Sequence, residues 1–173
     1  MYSGTGLGVG SLLTEIRTIN SNELTVFLSI LREAADWLEA MGRGLWTPEM
    51  LTEQAILGQY GLDELFLCRM DGEAAGAMIL AIEETMHWPD KKPGEAIYLH
   101  KLAVRRTYAG TTLSSCMIDF AKKYAQNMHR KYLRLDCDDR KALCTLYERH
   151  GFDRVGTHTF SPDLRVVYYQ YSI

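Results

Sequence analysis

The feature that most constrains the fold is a short apolar segment whose alternation changes phase partway along. Residues 95–118 read EAIYLHKLAVRRTYAGTTLSSCMI. Ile97 and Leu99 alternate as one face of a β-strand does, and so do Leu102 and Val104, but the second pair is displaced by one residue. An extra residue in a strand, a β-bulge, produces this pattern because it turns every later side chain to the opposite face. The sequence therefore predicts a bulged strand.

A helix with one apolar stripe follows this strand after a turn of small residues. The stripe recurs at helical spacing in Leu113, Cys116, Met117, Phe120, Ala121 and Tyr124. The first N–H groups of a helix lack intrahelical acceptors and carry the positive end of its dipole, so they favour an anion. The turn therefore predicts a phosphate site, to which the hydroxyls of Thr111, Thr112 and Ser114 can contribute donors.

The rest of the chain predicts strands and helices arranged around this segment. Ser21 or Asn22 can cap a long first helix, and Thr47-Pro48 predicts a second helix that runs to about Gln59. Asp71-Gly72 is a strong hairpin signal. The predicted order is β-αα-βββ-α-β-α-ββ, an α/β fold with a mixed sheet covered on both faces. The strands are expected near residues 13–19, 64–70, 73–83, 97–104, 132–138, 152–160 and 165–171.

Composition excludes several classes of function. A chain of 173 residues is most simply one domain, with residues 1–12 expected as a flexible leader. The net charge of −3, without a basic stripe, gives no reason to expect nucleic acid. No apolar run is long enough to span a membrane, and no signal peptide is recognisable. The four cysteines predict buried, reduced thiols, and the histidines show no metal-ligand spacing, so we expect a cytoplasmic protein without a metal.

Two segments together resemble a known family. LHKLAVRRTYAGTTLSSCMIDFA, residues 99–121, resembles the cofactor-binding motif of the GNAT superfamily of acyl-CoA-dependent N-acyltransferases, whose loop usually reads (Gln/Arg)-x-x-Gly-x-(Gly/Ala). Here Ala109, Thr112 and Ser114 stand where Gln or Arg, Gly, and a small residue are usual. LRLDCDDRKALCTLYERHGF, residues 133–152, resembles the strand and the Tyr-Glu-x-x-Gly-Phe helix that follow. The resemblance covers roughly residues 64–173.

The resemblance implies a fold, a reaction and a set of residues. The fold is a twisted, mostly antiparallel sheet of about seven strands with helices on both faces. The implied reaction transfers an acetyl group from acetyl-CoA to a primary amine of a small molecule, by direct attack in a ternary complex. Tyr147 corresponds to the tyrosine that protonates the leaving thiolate, and Arg140 stands where an asparagine often contacts pantetheine. The implied cofactor-binding residues are Leu102, Ala103, Val104, Ala109, Gly110, Thr111, Thr112, Leu113, Ser114 and Arg140.

Several questions stay open at the level of sequence. The general base is unassigned, with candidates Tyr98, Glu95, His100 and the pair Glu83 and Glu84. Arg105 or Arg106 can replace the phosphate-binding side chain that is missing at position 109. The acceptor is expected between the N-terminal helices and the loop from residue 85 to residue 94. An alternative function is a catalytically silent acyl-CoA-binding or sensing domain, and pairing of sheet edges leaves a homodimer open.

Overall fold

Seven strands and four α-helices follow one another in the predicted order within residues 13–162 and 164–173, which the computed structural model describes. The expected leader, residues 1–12, lies outside the described residues. The strands are β1 (Thr14–Thr18), β2 (Leu65–Met70), β3 (Glu73–Ala81), β4 (Ala96–Val104), β5 (Tyr132–Asp138), β6 (Asp153–Ser161) and β7 (Leu164–Ser172). The helices are α1 (Leu24–Ala40), α2 (Glu53–Leu57), α3 (Leu113–Asn127) and α4 (Lys141–Arg149).

The strands form one mixed sheet in the order β1-β2-β3-β4-β5-β7-β6. Among the described strands, only the β4–β5 pair is parallel; every other neighbouring pair is antiparallel. One face packs on α1 through a cluster that includes Phe27, Leu31 and Ile79. The other face packs on α3 through a cluster that includes Met117 and Leu135. The predicted fold class, a mostly antiparallel sheet covered on both faces, is confirmed.

The predicted bulge lies in β4. Ala77 of β3 pairs with Ala103, and Ile79 pairs with His100, so two residues of β4 face the single residue between them on β3. Lys101, one of these two, has a φ of 49°, a left-handed conformation that is uncommon outside glycine. The insertion turns Leu102 towards the α3 face and Ala103 towards the α1 face. The phase slip in the sequence therefore marked a real irregularity of the strand.

The central strands β4 and β5 run side by side for only four residues. Their pairing begins at Ala96 with Tyr132 and ends at Leu99 with Leu135. Beyond that point β4 continues along β3 as far as Val104, while β5 continues along β7 as far as Asp138. The sheet therefore opens between residues 100–104 of β4 and residues 136–138 of β5. We call this opening the β4–β5 gap.

The structure corrects three local predictions. The second helix is not continuous: Thr52 is extended, with ψ of 158°, and separates a 3-10 turn (Pro48–Leu51) from α2. Its hydroxyl accepts a hydrogen bond from Ala55 N at 3.1 Å, which makes it the cap of α2. In place of the predicted cap at Ser21 or Asn22, Asn20 caps a 3-10 turn (Ser21–Glu23) that leads into α1, and its side chain accepts a hydrogen bond from Asn22 N at 3.0 Å.

The third correction concerns the cysteines. Cys68 and Cys137 are buried, as predicted, but Cys116 is exposed and Cys144 is half-buried. Cys116 was assigned to the apolar stripe of α3, whereas the buried positions of that helix are its neighbours Leu113, Met117 and Ile118. The stripe is narrower than the spacing indicated because the sheet covers only one side of the helix.

Candidate active site

The turn before α3 has the geometry of an anion site. Gly110 adopts a φ of 78°, and a Cβ added there would meet nothing within 4 Å, so the loop is open to a ligand at this point. Ser114 and Ser115 occupy the first turn of α3, where the helix supplies no acceptor for their N–H groups. Thr112 is the N-cap and makes no capping hydrogen bond with its side chain. These backbone donors converge at the tip of the helix, as the binding of phosphate requires.

Two of the predicted loop residues hold the loop together instead of facing a ligand. The Thr111 hydroxyl donates to Tyr108 O at 2.7 Å and accepts from Leu113 N at 3.3 Å. The side chain of Leu113 is 3% exposed and belongs to the core. Ala109 precedes the glycine in extended conformation. The loop therefore owes its shape to Thr111 and Leu113 and leaves ligand contacts to its other residues.

A close approach of α3 to the sheet sets the position of this tip. A Cβ added to Gly76 of β3 would lie 2.6 Å from Met117 Sδ and 3.3 Å from Ala103 O. A larger residue at position 76 would therefore force the Met117 side chain of α3 to move. The glycine thus brings the N-terminus of α3 against the bulged end of β4.

The bulged end of β4 presents backbone groups to the β4–β5 gap. Residues 100–104 pair with β3 on one edge only, because β5 has already separated from them. Leu102 and Val104 are half-buried on the α3 face, and Ala103 is buried on the α1 face. The edge that faces the gap therefore offers peptide N–H and C=O groups to a ligand lying along it.

Tyr147 of α4 borders the gap from the α3 face. The side chain is 6% exposed, and its ring packs 5.8 Å from that of Phe152 and 6.0 Å from that of Tyr169, measured between centroids. Burial raises the pKa of the phenol, and the nearby Cys137 and Asp136 raise it further. A tyrosine in this environment stays protonated at neutral pH, which is the form that a general acid needs.

Arg140 and its neighbours tie the end of β5 to the start of α4. Arg140 Nε lies 3.0 Å from Asp138 Oδ2, and Arg43 Nη1 lies 3.9 Å from Asp138 Oδ1. The Arg140 guanidinium opposes the rise in the pKa of Tyr147, which shows that the two side chains are close. Arg140 is thus engaged with a buried carboxylate beside the gap.

The two arginines that could replace the missing loop cation both contact α1. Arg105 donates to Glu33 Oε2 at 2.7 Å, to Ser29 Oγ at 2.8 Å and to Ala74 O at 3.0 Å. The guanidinium of Arg106 lies 4.0 Å from the ring centroid of Trp37. Their side chains therefore join β4 to α1 and do not point at the tip of α3.

Of the candidate bases, Glu84 and His100 lie together on the α1 face. His100 Nε2 is 3.2 Å from Glu84 Oε2, and both side chains are 11% exposed. Burial alone would raise the pKa of Glu84, but the contact with His100 and hydrogen bonds from the N–H groups of His87 and Met86 lower it to about 2. Glu84 is therefore ionised at neutral pH and can orient the imidazole.

The other candidate bases are engaged elsewhere or exposed. Glu95 Oε2 accepts from Arg134 at 2.9 Å, and the Tyr98 hydroxyl is 3.3 Å from another nitrogen of the same guanidinium. Glu83 is exposed. Glu95 could not be separated from Glu84 by sequence reasoning, since its partner Arg134 lies 39 residues away along the chain.

Asp136 is a candidate that sequence reasoning missed. It lies at the gap end of β5, and its Oδ1 atom is buried without a hydrogen-bond partner among the described residues. Burial raises the pKa values of Tyr60 and Tyr168, and the charges of Asp136 and Glu84 raise both further, so these groups lie near one another on the α1 face. A buried carboxylate oxygen without a donor is costly unless a ligand supplies one. The signal in the sequence was an acidic residue between the apolar Leu135 and Cys137 of a strand.

The fold and this site together define a class of protein. The sheet opens between two central parallel strands, with a helix tip on one side of the opening. A buried carboxylate and a tyrosine lie at the opening. This arrangement is the framework of an acyltransferase. The acetyltransferase (GNAT) family model matches residues 31–152. The chain therefore belongs to the GNAT acetyltransferase family.

Particular relatives agree with this assignment. Over 148 residues the chain is 29% identical to YesJ, an uncharacterised N-acetyltransferase of Bacillus subtilis, which covers 78% of this chain and 82% of the relative. A GNAT-family acetyltransferase structure from Listeria monocytogenes is 26% identical with a TM-score of 0.75, covering 92% and 95% of the two chains. The ribosomal-protein-S18-alanine N-acetyltransferase of Escherichia coli shares the fold at 15% identity, with a TM-score of 0.70 over 93% and 94%.

The described residues contain neither a membrane-spanning helix nor a cluster of metal ligands. Within residues 13–162 and 164–173, none of the helices is long and apolar enough to cross a membrane. The same residues contain no group of three or more His, Cys, Asp or Glu side chains placed to hold a metal ion.

Proposed function

We propose that this chain, acting as a single domain, transfers an acetyl group from acetyl-CoA to a primary amine of a small molecule by direct attack in a ternary complex. The observation that carries the proposal is the β4–β5 gap, which Tyr147 borders on the α3 face and Asp136 on the α1 face. An acid and a base on opposite sides of one opening are what the exchange of a thioester for an amide needs.

The residues present fit acetyl-CoA. Backbone N–H groups at the tip of α3, with open space at Gly110, suit the pyrophosphate. The unpaired edge of β4 at Leu102, Ala103 and Val104 suits the peptide-like groups of pantetheine, which would lie along it as an added strand does. The same edge leads into the gap, so a ligand that is held at both places delivers its thioester beside Tyr147.

The reaction then follows from the placement of these groups. The acceptor nitrogen attacks the thioester carbonyl carbon and forms the C–N bond. Peptide N–H groups at the bulge stabilise the negative charge that develops on the carbonyl oxygen, usually the largest single catalytic effect. The C–S bond breaks, and Tyr147 gives its proton to the departing thiolate.

Asp136 is placed to take the proton that the attacking amine loses. Its unpartnered oxygen faces the α1 side of the gap, where the acceptor has to enter because α3 and the cofactor occupy the other face. His100, oriented by Glu84, is the alternative acceptor of this proton. Asp136 is favoured because its Oδ1 atom has no hydrogen-bond partner among the described residues, whereas His100 Nε2 lies 3.2 Å from the Glu84 carboxylate.

A groove of about 190 Å³ can admit the acceptor to the α1 side of the gap. It lies between the β3–β4 connection and the β6–β7 hairpin, and is lined by His87, Trp88, Pro89, Asp90, Lys91, Val155, Gly156 and Tyr168. Tyr168 lies beside both this groove and the space around Asp136. The groove is small, which favours a small-molecule acceptor. A cytoplasmic location and a homodimer remain predictions from the sequence.

A panel of primary amines with acetyl-CoA, monitored by release of thiol, tests the proposal. Tyr147→Phe should lower kcat by roughly 100-fold or more, since general acid catalysis contributes on this scale, while the affinity for acetyl-CoA stays unchanged. Tyr124→Phe is the matched control, because it removes the same hydroxyl from a different helix. The Tyr124 ring is half-buried on α3, and its centroid lies 5.2 Å from that of Phe66. Equal turnover by the Tyr147→Phe variant and the wild type would remove Tyr147 from the mechanism.

The same panel separates the enzyme from the silent sensing domain. A sensing domain binds acetyl-CoA, yet no amine releases thiol above the rate of spontaneous hydrolysis. Calorimetry with acetyl-CoA therefore accompanies the panel, so that absence of turnover with retained binding identifies the sensing domain.

A further inference from the structure

A second pocket lies on the α3 face, between the first turn of α3 and α4. Its volume is about 690 Å³, which is in the usual range for a small-molecule site. It is lined by Ser115, Lys141, Ala142, Thr145, Leu146, Arg149 and His150. Ser115 directly follows Ser114 of the helix tip, so the pocket opens from the proposed pyrophosphate site. Neither Tyr147 nor Asp136 lines it, which separates the pocket from the reacting groups.

The charges in this pocket are all positive or neutral. Lys141 and Arg149 have exposed side chains, and the described residues that line the pocket include no Asp or Glu. The carboxylate of Asp119 lies 3.4 Å from His150 Nδ1 and 3.9 Å from Lys122 Nζ, and Asp119 is not among the lining residues. The pocket therefore favours an anion.

Lys141 stands where a cation does not help the fold. It is the first residue of α4, whose first turn contains no acidic residue. A positive charge at the positive end of a helix dipole is unfavourable by some tenths of a kcal/mol, roughly 0.3–1 when fully felt. An anionic ligand in the pocket would reverse this effect. The position of Lys141 thus indicates a binding role that is independent of the shape of the pocket.

A hydrogen-bond network fixes the floor of the pocket. His150 Nε2 lies 3.0 Å from Ser115 Oγ, and Lys122 Nζ donates to His150 O at 2.6 Å. With Asp119 these side chains follow the order of a hydrolytic triad. However, the side chain of Asp119 is 60% exposed, so its contact with His150 is weak in water. The network orients the ring of His150 rather than activating Ser115.

The pocket contains cations that the loop before α3 lacks. Position 109 is alanine where a phosphate-binding Gln or Arg is usual in the family, and the side chains of Arg105 and Arg106 are held by α1. We propose that α4 replaces the missing loop cation: Lys141 and Arg149 bind the 3′-phosphate of coenzyme A in the pocket beside the α3 tip. This inference rests on the proposed function, because it takes the pyrophosphate to lie at that tip.

The test compares coenzyme A with 3′-dephospho-coenzyme A by calorimetry. The wild type should bind coenzyme A at least about 10-fold more tightly, because the lost contacts are charge-assisted. In the double variant Lys141→Ala/Arg149→Ala this preference should fall to about 2-fold or less, while the affinity for 3′-dephospho-coenzyme A changes little. Lys123→Ala, an exposed lysine of α3 outside the pocket, is the matched control and should keep the full preference.

A second readout is the melting temperature. Lys141→Ala alone should raise the Tm of the ligand-free protein slightly, because it removes a cation from the N-terminus of α4. The same variant should show a smaller rise in Tm than the wild type when coenzyme A is added. A lower Tm for the ligand-free variant would show that Lys141 supports the fold, and would overturn its assignment as a ligand residue.

Different results would overturn the 3′-phosphate inference and the proposed function. Equal binding of the two ligands by the wild type, or a preference that survives in the double variant, overturns the inference and leaves the acetyltransferase proposal intact. Binding of neither ligand overturns the proposed function itself. Binding of adenosine 3′,5′-bisphosphate that the double variant loses supports the inference, since this probe lacks pantetheine.

Discussion

At the scale of single residues, the site is built from groups whose environment sets their protonation. Burial keeps the phenol of Tyr147 protonated, while contacts with His100 and two backbone N–H groups keep Glu84 ionised. Asp136 differs from both, because one of its oxygens is buried and has no donor among the described residues. Each of these states follows from the surroundings of one side chain, so each can be tested by one substitution.

The identity of the base is tested by a pair of variants. Asp136→Asn should lower kcat by roughly 100-fold or more, as expected for loss of a general base. His100→Gln is the comparison and should lower kcat less. If instead His100→Gln causes the larger loss of kcat, the pair Glu84 and His100 is the base and Asp136 binds the acceptor.

The lowered pKa of Glu84 predicts a specific dependence of stability on pH. The folded-state pKa of about 2 lies below the ordinary value of 4.5, so the stabilisation is fully present above pH 4.5 and is lost as pH falls towards 2. This lowering of the pKa corresponds to about 3 kcal/mol in the free energy of unfolding before solvent screening, which reduces the figure for a partly exposed pair. Urea unfolding of Glu84→Gln between pH 2 and 6 should show a shallower acid dependence than the wild type. Parallel curves for the two proteins would contradict this assignment.

At the scale of elements, the bulge in β4 does two things at once. It keeps both halves of the strand in register with their cores, Leu99 and Leu102 facing α3 and Tyr98 and Ala103 facing α1. It also coincides with the end of the pairing between β4 and β5, so the irregular residues border the gap. The left-handed Lys101 is the residue that makes this geometry possible.

Substitutions at Lys101 test the bulge. Lys101→Val should be less stable than Lys101→Asn by about 1–2 kcal/mol, because a β-branched residue tolerates a positive φ poorly and asparagine tolerates it well. Both variants remove the ammonium group that lies 5.0 Å from the ring centroid of Trp46, so that contact cancels in the comparison. Urea denaturation measures the difference. Equal midpoints would show that the strand can be accommodated without the left-handed residue.

At the scale of the whole molecule, the sheet joins two separately packed cores. One core lies between the sheet and α1, the other between the sheet and α3 with α4. The two halves of the sheet diverge at the gap, where β4 and β5 no longer hydrogen-bond. A ligand that bonds to β4 and to the tip of α3 replaces contacts that the protein does not make for itself, so binding and stability should be linked.

Thermal unfolding tests this linkage. Acetyl-CoA at 100 times its Kd should add about 2.7 kcal/mol to the free energy of unfolding. For a domain of this size that corresponds to a rise in Tm of roughly 5–10 °C. Acetate and free cysteamine, which lack the nucleotide, are the controls and should leave Tm unchanged. An unchanged Tm under saturating acetyl-CoA would contradict binding at the proposed site.

Much of the architecture is readable from local patterns in the sequence. The order of the elements, the bulge between Leu99 and Leu102, and the turn at Gly110 that leads into α3 all follow from periodicity and turn chemistry over short stretches. The same reasoning failed at α2, where Thr52 can serve equally as an interior residue or as a cap, and only packing decides. Local chemistry therefore determined the elements but not every boundary.

What only the tertiary structure decided is which side chains meet. Arg105 and Arg106 look free in the sequence, yet 72 residues separate Arg105 from the Glu33 that holds it. In the sequence, Asp136 resembles any acidic residue of a strand. In the structure it lies where β5 separates from β4, and its Oδ1 atom has no hydrogen-bond donor among the described residues. Periodicity reports the face on which a residue lies, whereas an ion pair or an empty gap depends on how distant segments pack. The sequence alone thus determined the framework and the helix tip, and the folded chain determined which cations and carboxylates remain for the chemistry.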